Sequence, residues 1–157
     1  MQDIQFADGE NIFGCRVAAV CIKENQILLS KLKNDDFWTF IGGKPMFGES
    51  TAEAAVREFR EEVGVTLGVE RLSAIIENFF TFDGADWHQY IFCYRLCDAQ
   101  DSLELFEGER EVADNRNAIY RWFDISRLHD VPLKPDCASR IIEDTSESVL
   151  HFVNREN

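Results

Sequence analysis

The segment from Ser50 to Gly64 most constrains the fold, because it is marked as a single helix at both ends. Ser50 followed three residues later by Glu53 is the capping-box pattern of a helix N-terminus. Gly64 is a typical residue to end a helix, since glycine readily adopts the left-handed conformation found there. Between the ends, apolar residues recur at helical spacing, namely Ala52, Ala55, Val56, Phe59 and Val63. The segment is therefore predicted to be an amphipathic helix packed against a core.

Three carboxylates project from another side of this predicted helix. Glu58, Glu61 and Glu62 fall within about 100° of one another when each residue turns the helix by about 100°. Carboxylate oxygens are the ligands that Mg2+ and Mn2+ prefer, so a metal site is one interpretation. A solvated acidic face is the other, since Arg57 is spaced to pair with Glu53 and Glu61.

The rest of the chain alternates between strand-like and helix-like segments. Six runs of apolar and β-forming residues are predicted as strands: 15–22, 26–32, 37–44, 71–82, 87–97 and 118–125. A last helix is predicted to begin at Pro135-Asp136, with an apolar stripe formed by Ile141, Ile142, Val149, Phe152 and Val153. This order indicates one α/β (α+β) domain over residues 1–157, with a mixed sheet covered by helices on both faces.

The charge of the chain limits its partners. The 157 residues carry a formal net charge of -13 at pH 7, so nucleic acids and anionic membranes would be repelled. An anionic small molecule would need a cation supplied with it. No apolar run approaches membrane length and the N-terminus does not resemble a signal peptide, which favours a cytoplasmic location. The five cysteines form no CxxC pair and are interpreted as small buried hydrophobes.

The residues before the helix extend its pattern into a longer motif. Gly43 is followed after five residues by Glu49, and after seven more by the run Arg57-Glu58-Phe59-Arg60-Glu61-Glu62-Val63-Gly64-Val65. This resembles the Nudix box, with all seven fixed residues and both apolar positions filled within 23 residues. Two details differ from the commonest pattern: the preceding turn reads Phe40-Ile41-Gly42-Gly43, and Phe59 replaces an aliphatic residue. The resemblance implies a Nudix-type α/β/α sandwich.

The resemblance also implies a reaction and a metal site. It implies hydrolysis of a nucleoside diphosphate linked to another group, with Mg2+ or Mn2+ neutralising the phosphates and activating water. By motif position, Glu58, Glu61 and Glu62 would be metal ligands, and the Gly43 loop could add a backbone carbonyl. Among the catalytic candidates, Arg57 would orient a glutamate of the box, either Glu49 or Glu61. Glu49 would support the loop or the outer shell of the site.

A general base is expected in the box or in a downstream loop. The segment 103–115 offers Glu104, Glu107, Glu109 and Glu111, of which Glu107 and Glu111 are the preferred candidates. The alternative is a solvated acidic loop. For the substrate, Arg16 and Lys44 are candidates to face phosphates, and Trp87 and Phe80 to stack on a base. A solvated role for the first two and core packing for the others stay open.

The remaining expectations concern the substrate class and the assembly. ADP-ribose pyrophosphatases of this family often carry a proline about 15 residues after the last box glycine, where this chain reads Asn78-Phe79-Phe80-Thr81-Phe82. Nucleoside triphosphates, modified nucleotides and nucleotide sugars are therefore the expected substrates. The alternative function is a nucleotide-sensing module on the same fold that binds without cleaving. By resemblance alone, a homodimer is favoured.

Overall fold

The structure is a computed structural model that describes residues 2–156. Its strands are β1 Gln5–Asp8, β2 Asn11–Val20, β3 Ile22–Lys23, β4 Gln26–Leu32, β5 Thr39–Gly43, β6 Gly68–Phe82, β7 Ala85–Cys97, β8 Arg110–Val112, β9 Asn115–Asp124 and β10 Leu150–Arg155. Its helices are α1 Thr51–Val63, α2 Ala138–Glu143 and a 3-10 helix, Ile125–Asp130. None of the helices within these residues is long and apolar enough to cross a membrane.

The strands form one mixed sheet in the order β10-β6-β7-β2-β5-β4-β9-β8, with β1 added to β2 and β3 to β4. The pairs β10–β6 and β2–β7 are parallel, whereas β6–β7 and β4–β9 are antiparallel. The predicted mixed sheet is confirmed. The long β6–β7 hairpin forms because two strand-like runs flank a tight turn that includes Gly84 at a φ of 77°.

Helices cover both faces of the sheet, as the element order predicts. Successive side chains of a strand point to opposite faces, and β2 shows this directly. Ala18 and Val20 pack in a core with Ile141 of α2, whereas Ala19 packs in a second core with Phe59 of α1. The α/β/α layering is therefore confirmed.

Helix α1 begins and ends where the sequence predicts. The Ser50 hydroxyl oxygen accepts from the backbone N–H of Glu53 at 3.2 Å, and the Glu53 carboxylate accepts from that of Ser50 at 2.8 Å. Gly64 has a φ of 86° and its N–H donates to the carbonyl of Arg60. Phe59 is fully buried, which fixes the rotation of the helix about its axis. With this rotation Glu61 is exposed, whereas Glu58 and Glu62 are half-buried.

The predicted last helix is wrong beyond Glu143. Helix α2 ends there, and Leu150–Arg155 is a strand that pairs in parallel with β6. Burial alternates along this strand with a period of two, so Phe152 is half-buried while Val153 and Val149 are exposed rather than part of an apolar stripe. The segment forms a strand because β6 offers it an open edge, which a local pattern does not reveal.

The cysteines are all free thiols. Cys21, Cys93 and Cys137 are buried and Cys15 is half-buried, in line with their interpretation as small hydrophobes. Cys97 is exposed, against that expectation, because it is the last residue of β7.

Candidate active site

Arg57 connects the loop before α1 to the carboxylates of the helix. Its Nε and Nη2 atoms donate to the two carboxylate oxygens of Glu49 at 2.6 and 2.9 Å, a two-bonded arginine–carboxylate pair. Its Nη1 donates to Glu58 at 2.9 Å and to Glu61 at 3.2 Å, and Nη2 also donates to the backbone carbonyl of Lys44. One guanidinium therefore holds the loop against the acidic end of the helix.

Glu58 lies directly against the backbone of the β5 loop. A Cβ atom at position 43 would overlap the Glu58 carboxylate, so only glycine leaves room for this contact. Burial raises the pKa of Glu58, while its hydrogen bond and charge interaction with Arg57 oppose that shift. The close packing therefore places the Glu58 carboxylate next to the backbone of Gly43.

Among the carboxylates of helix α1, Glu62 has the pKa that is shifted most. Its pKa is raised to about 8, mainly by burial; the charges of Glu58 and Asp114 contribute to the rise, while the charge of Arg16 and a hydrogen bond from the Gly42 backbone oppose it. Its Oε2 atom is buried and has no hydrogen-bond partner within residues 2–156. A buried carboxylate oxygen without a partner costs free energy unless a proton or a cation occupies it.

The donor set fits a hard divalent cation, although it is not assembled as a ligand cluster. Across the described residues, no three His, Cys, Asp or Glu side chains converge closely enough to hold a metal. Arg57 pairs with Glu58 and with Glu61, whose side chain is 40% exposed. The unpartnered Oε2 of Glu62 and the glycine contact of Glu58 are both oxygen-rich positions of the kind that Mg2+ or Mn2+ binds.

A cleft of about 730 Å3 opens beside Glu62. Arg16 of β2 and Gly42 of β5 line it near the carboxylate, and Phe80 of β6 lines it further along. Asp114, in the turn between β8 and β9, lies on its wall. The cleft thus combines a cation, carboxylates and an aromatic ring, which suits a ligand with both phosphate and ring groups.

Two of the four predicted substrate contacts lie in this cleft and two do not. Arg16 and Phe80 line it. Trp87 lines a separate crevice that Phe80 also borders, and it lies opposite Phe80 on the neighbouring strand with the two rings stacked at 5.7 Å between centroids. Lys44 is half-buried and contributes its backbone carbonyl to Arg57, and its side chain is not among the residues lining the cleft.

The structure brings a different acid to the cleft from the two that sequence reasoning favours. Glu111 forms an ion pair with Lys33 at 3.0 Å, which lowers its pKa, and Glu107 is exposed outside the cleft. Asp114 instead lines the cleft and acts electrostatically on Glu62. The backbone N–H of Ala113 donates to the carbonyl of Glu62, which ties this turn to α1. The Asp114-Asn115 pair is a turn signal between strand-like residues that sequence reasoning could have used.

Comparison with known proteins places this arrangement in a family. The family model described as "NUDIX domain" matches residues 14–144. The chain belongs to the Nudix family. Its mixed sheet and flanking helices match solved Nudix structures, and the Gly43–Val65 segment, with its seven fixed residues, is its Nudix box.

Several relatives of this Nudix domain are informative. The "Putative ADP-ribose pyrophosphatase YjhB" of Bacillus subtilis (strain 168) is 30% identical over 104 residues, which cover 66% of this chain and 48% of that protein. The solution structure of the E. coli ORF135 protein is 25% identical, with a TM-score of 0.58 over 88% of this chain and 91% of that one. The MutT protein of Bacillus halodurans has a TM-score of 0.63 at 20% identity, over 88% and 90% of the two chains.

The match to curated proteins is partial in length. The Nudix chain spans about half to two thirds of the curated relatives that it matches, 48% and 66% of their lengths. The matched family segment nevertheless includes the whole box, the cleft-lining residues of β2, β6 and β7, and the Asp114 turn. These site residues therefore all lie within the segment that matches the Nudix family model.

Proposed function

We propose that this protein hydrolyses a nucleoside diphosphate linked to another group in a reaction that depends on a divalent metal. The substrate would be a nucleoside triphosphate, a modified nucleotide or a nucleotide sugar. The observation that carries the proposal is the buried, unpartnered Oε2 of Glu62 at a cleft that also presents Arg16. In the metal-free protein a proton would occupy this position, and in the active enzyme a cation would replace it, while the cleft beside it accommodates an anion.

The metal site would be built from the Nudix box. Glu58, Glu61 and Glu62 would hold Mg2+ or Mn2+, with the Gly43 carbonyl as a further oxygen donor. When bound, such a cation neutralises phosphate charge and lowers the pKa of a coordinated water. Arg57 would keep Glu58 and Glu61 oriented through its existing hydrogen bonds. Glu49 would in turn fix Arg57 through the two-bonded pair.

The remaining cleft residues have separate roles in this proposal. Arg16 would face the phosphates, and its charge offsets part of the repulsion that an overall charge of -13 imposes on an anion. The Asp114 carboxylate would accept the proton of the attacking water, because it lines the cleft close enough to influence the charge of Glu62. Phe80, supported by Trp87, would contact a ring of the substrate.

The similar proteins support the bond type rather than one substrate. The Bacillus subtilis relative is named for ADP-ribose pyrophosphatase activity, which also cleaves a diphosphate linkage. The present chain lacks the proline associated with that substrate, so ADP-ribose belongs in the test without being favoured. The acidity of the chain supports a small-molecule partner over nucleic acid or membrane, and we extend the proposal to a cytoplasmic location.

Release of phosphate or nucleotide tests this function directly. The protein is incubated with Mg2+ or Mn2+ and a panel of nucleoside triphosphates, nucleotide sugars, ADP-ribose and dinucleotides. Turnover is expected for at least one class and should fall by about 100-fold or more in Glu62→Gln and Glu58→Gln, since each removes a charged metal ligand. Glu147→Gln, at an exposed site, is the matched control. Tight nucleotide binding without turnover would instead support a sensing module.

A further inference from the structure

A row of three carboxamides, two of which line the cleft, has no role in the proposed hydrolysis. Asn154 of β10 pairs in register with Asn78 of β6, and Asn78 pairs with Gln89 of β7. The three residues are only 8%, 7% and 8% exposed. Asn78 and Gln89 line the cleft. Within residues 2–156, no amide atom of this row is both buried and unpaired, so the free amide groups of Asn78 and Gln89 open into the cleft.

The amide of Asn78 has one end occupied and one end available. The Nδ2 of Asn154 donates to the Oδ1 of Asn78 at 2.7 Å, a buried bond that sets the orientation of the Asn78 amide. The Nδ2 group of Asn78 is therefore left to donate elsewhere. Within residues 2–156 the Gln89 side chain is not held by a hydrogen bond from a neighbouring side chain, and its amide atoms are not shut off from the cleft that it lines. The cleft thus contains a fixed donor beside an amide that offers both a donor and an acceptor.

The row also lies at a suitable distance from the phosphate end of the cleft. Arg16 pairs with Ile91, which is two residues along β7 from Gln89. Two residues of a strand span about 7 Å. A ligand whose anionic group faces Arg16 would therefore place its next ring over the carboxamide row, with Phe80 lining the same cleft.

We propose that Asn78 and Gln89 read the base of the nucleotide, with Asn154 as the positioning residue that makes Asn78 a donor. The base selected this way presents a carbonyl oxygen to the Asn78 Nδ2 group, so 6-oxopurines and 4-oxopyrimidines are preferred over their amino counterparts. Gln89 pairs with the adjacent ring nitrogen, because a carboxamide matches a donor–acceptor edge of a base. This inference rests on the proposed nucleotide substrate and adds the base class to it.

Matched pairs of nucleotides test the preference. Inosine and adenosine triphosphates differ at position 6, and uridine and cytidine triphosphates differ at position 4, in each case oxo against amino with the accompanying change at the ring nitrogen. The oxo member is expected to have a higher kcat/KM by about tenfold or more. With the amino base, the Asn78 Nδ2 group would face another hydrogen-bond donor instead of a carbonyl oxygen. Equal values, or a preference for the amino bases, would overturn the assignment.

Substitution of Asn154 tests the positioning role without altering the cleft surface. In Asn154→Asp the new carboxylate only accepts, so the Asn78 amide turns its Nδ2 toward it and presents Oδ1 to the cleft. The preference is then expected to invert toward adenosine and cytidine nucleotides. Val153→Thr, on the same strand but 55% exposed, should keep the original ratio. An unchanged ratio in a folded Asn154→Asp protein would contradict the role of Asn154.

Binding provides a readout that does not require hydrolysis. Calorimetric titration with uridine and cytidine diphosphates, in the presence of Mg2+, should show the same preference and the same inversion in Asn154→Asp. Failure of every nucleotide to turn over, together with selective binding, would reject the proposed hydrolysis and retain the base-reading row. Turnover with no difference within either pair, in rate or in affinity, would reject the row and retain the hydrolysis.

Discussion

Arg57 holds Glu49 through two parallel hydrogen bonds, from Nε at 2.6 Å and from Nη2 at 2.9 Å, with side chains that are only 17% and 13% exposed. The same guanidinium reaches Glu58 and the backbone of Lys44. The pair lowers the pKa of Glu49 and keeps it ionised. One arginine thereby joins the loop that follows β5 to the helix that presents the carboxylates.

Arg57→Lys should weaken both stability and activity, because an ammonium cannot form the two-bonded pair and contact Glu58 at once. We expect the free energy of unfolding to fall by about 1–3 kcal/mol and kcat to fall by at least tenfold. Urea denaturation and steady-state kinetics measure these effects. Arg60→Lys is the matched control, since its side chain is exposed on the same helix and should change the free energy of unfolding by less than about 0.5 kcal/mol.

The metal-free protein should become less stable as the pH rises through the range set by Glu62. The folded protein retains a proton on Glu62 up to about pH 8, whereas the unfolded chain loses it near the ordinary glutamate value of 4.5. The folded state therefore binds more protons between these values, and the free energy of unfolding should decrease by a few kcal/mol over that range. Glu58 adds to this trend. The lowered pKa values of Glu49 and Glu53 act below pH 4.5 and do not offset it.

Thermal or urea denaturation at pH 5 and at pH 8 measures this trend. In Glu62→Gln the decrease should be largely absent, because glutamine resembles the protonated acid at every pH. Mg2+ should stabilise the native protein more at pH 8 than at pH 5, since a cation favours the carboxylate. Stability that rises from pH 5 to pH 8 in the absence of metal would contradict the burial of an ionisable Glu62.

The two glycines of the β5 loop should respond differently to alanine. A Cβ at Gly43 would overlap the carboxylate of Glu58, which is a side chain, whereas a Cβ at Gly42 would overlap the backbone carbonyl of Val17 in the neighbouring strand. Gly43→Ala is therefore expected to displace Glu58 and lower Mn2+ affinity by tenfold or more with little loss of stability. Gly42→Ala should separate β5 from β2 and lower the free energy of unfolding by about 1–3 kcal/mol.

Manganese titration followed by electron paramagnetic resonance, together with urea denaturation, separates the two effects. Gly68→Ala is the control, since the nearest atom to its Cβ is the carbonyl oxygen of Cys97 at 3.8 Å, an ordinary contact. If instead Gly43→Ala lowers the stability and Gly42→Ala lowers the Mn2+ affinity, then the loop tolerates a methyl group at position 42 and the contact with Gly43 does not hold Glu58 in place.

Parts of the fold that depend on local signals could be predicted from the sequence. Helix α1 is set by Ser50, Glu53 and Gly64, all within or next to the helix, so its ends are where the pattern places them. The box residues also lie on one segment, which makes their proximity a matter of helical spacing. Arg57 and Glu49 are also close in sequence, so their pairing could be anticipated from the motif.

Features that depend on distant segments could not be predicted in this way. Strand β10 exists because β6, more than 70 residues away in sequence, has an edge to pair with; its register, Asn154 opposite Asn78, has no local signature. The carboxamide row depends on that register, so the sequence alone does not indicate it. The position of Asp114 beside Glu62 depends likewise on how the turn after β8 contacts the end of α1.

Asp114→Asn should lower kcat by about 100-fold or more, because it removes the carboxylate that we propose accepts the proton of the attacking water. It should also lower the pKa of Glu62, since the charge of Asp114 contributes to raising it. The pH dependence of stability measures the second effect independently of turnover. Glu111→Gln is the matched control, because it removes only an exposed ion pair with Lys33, and exposed pairs of this kind contribute little to stability. Full activity in Asp114→Asn with strong loss in Glu111→Gln would transfer the role to the acid that sequence reasoning favours, and would require the β8–β9 turn to move when substrate binds.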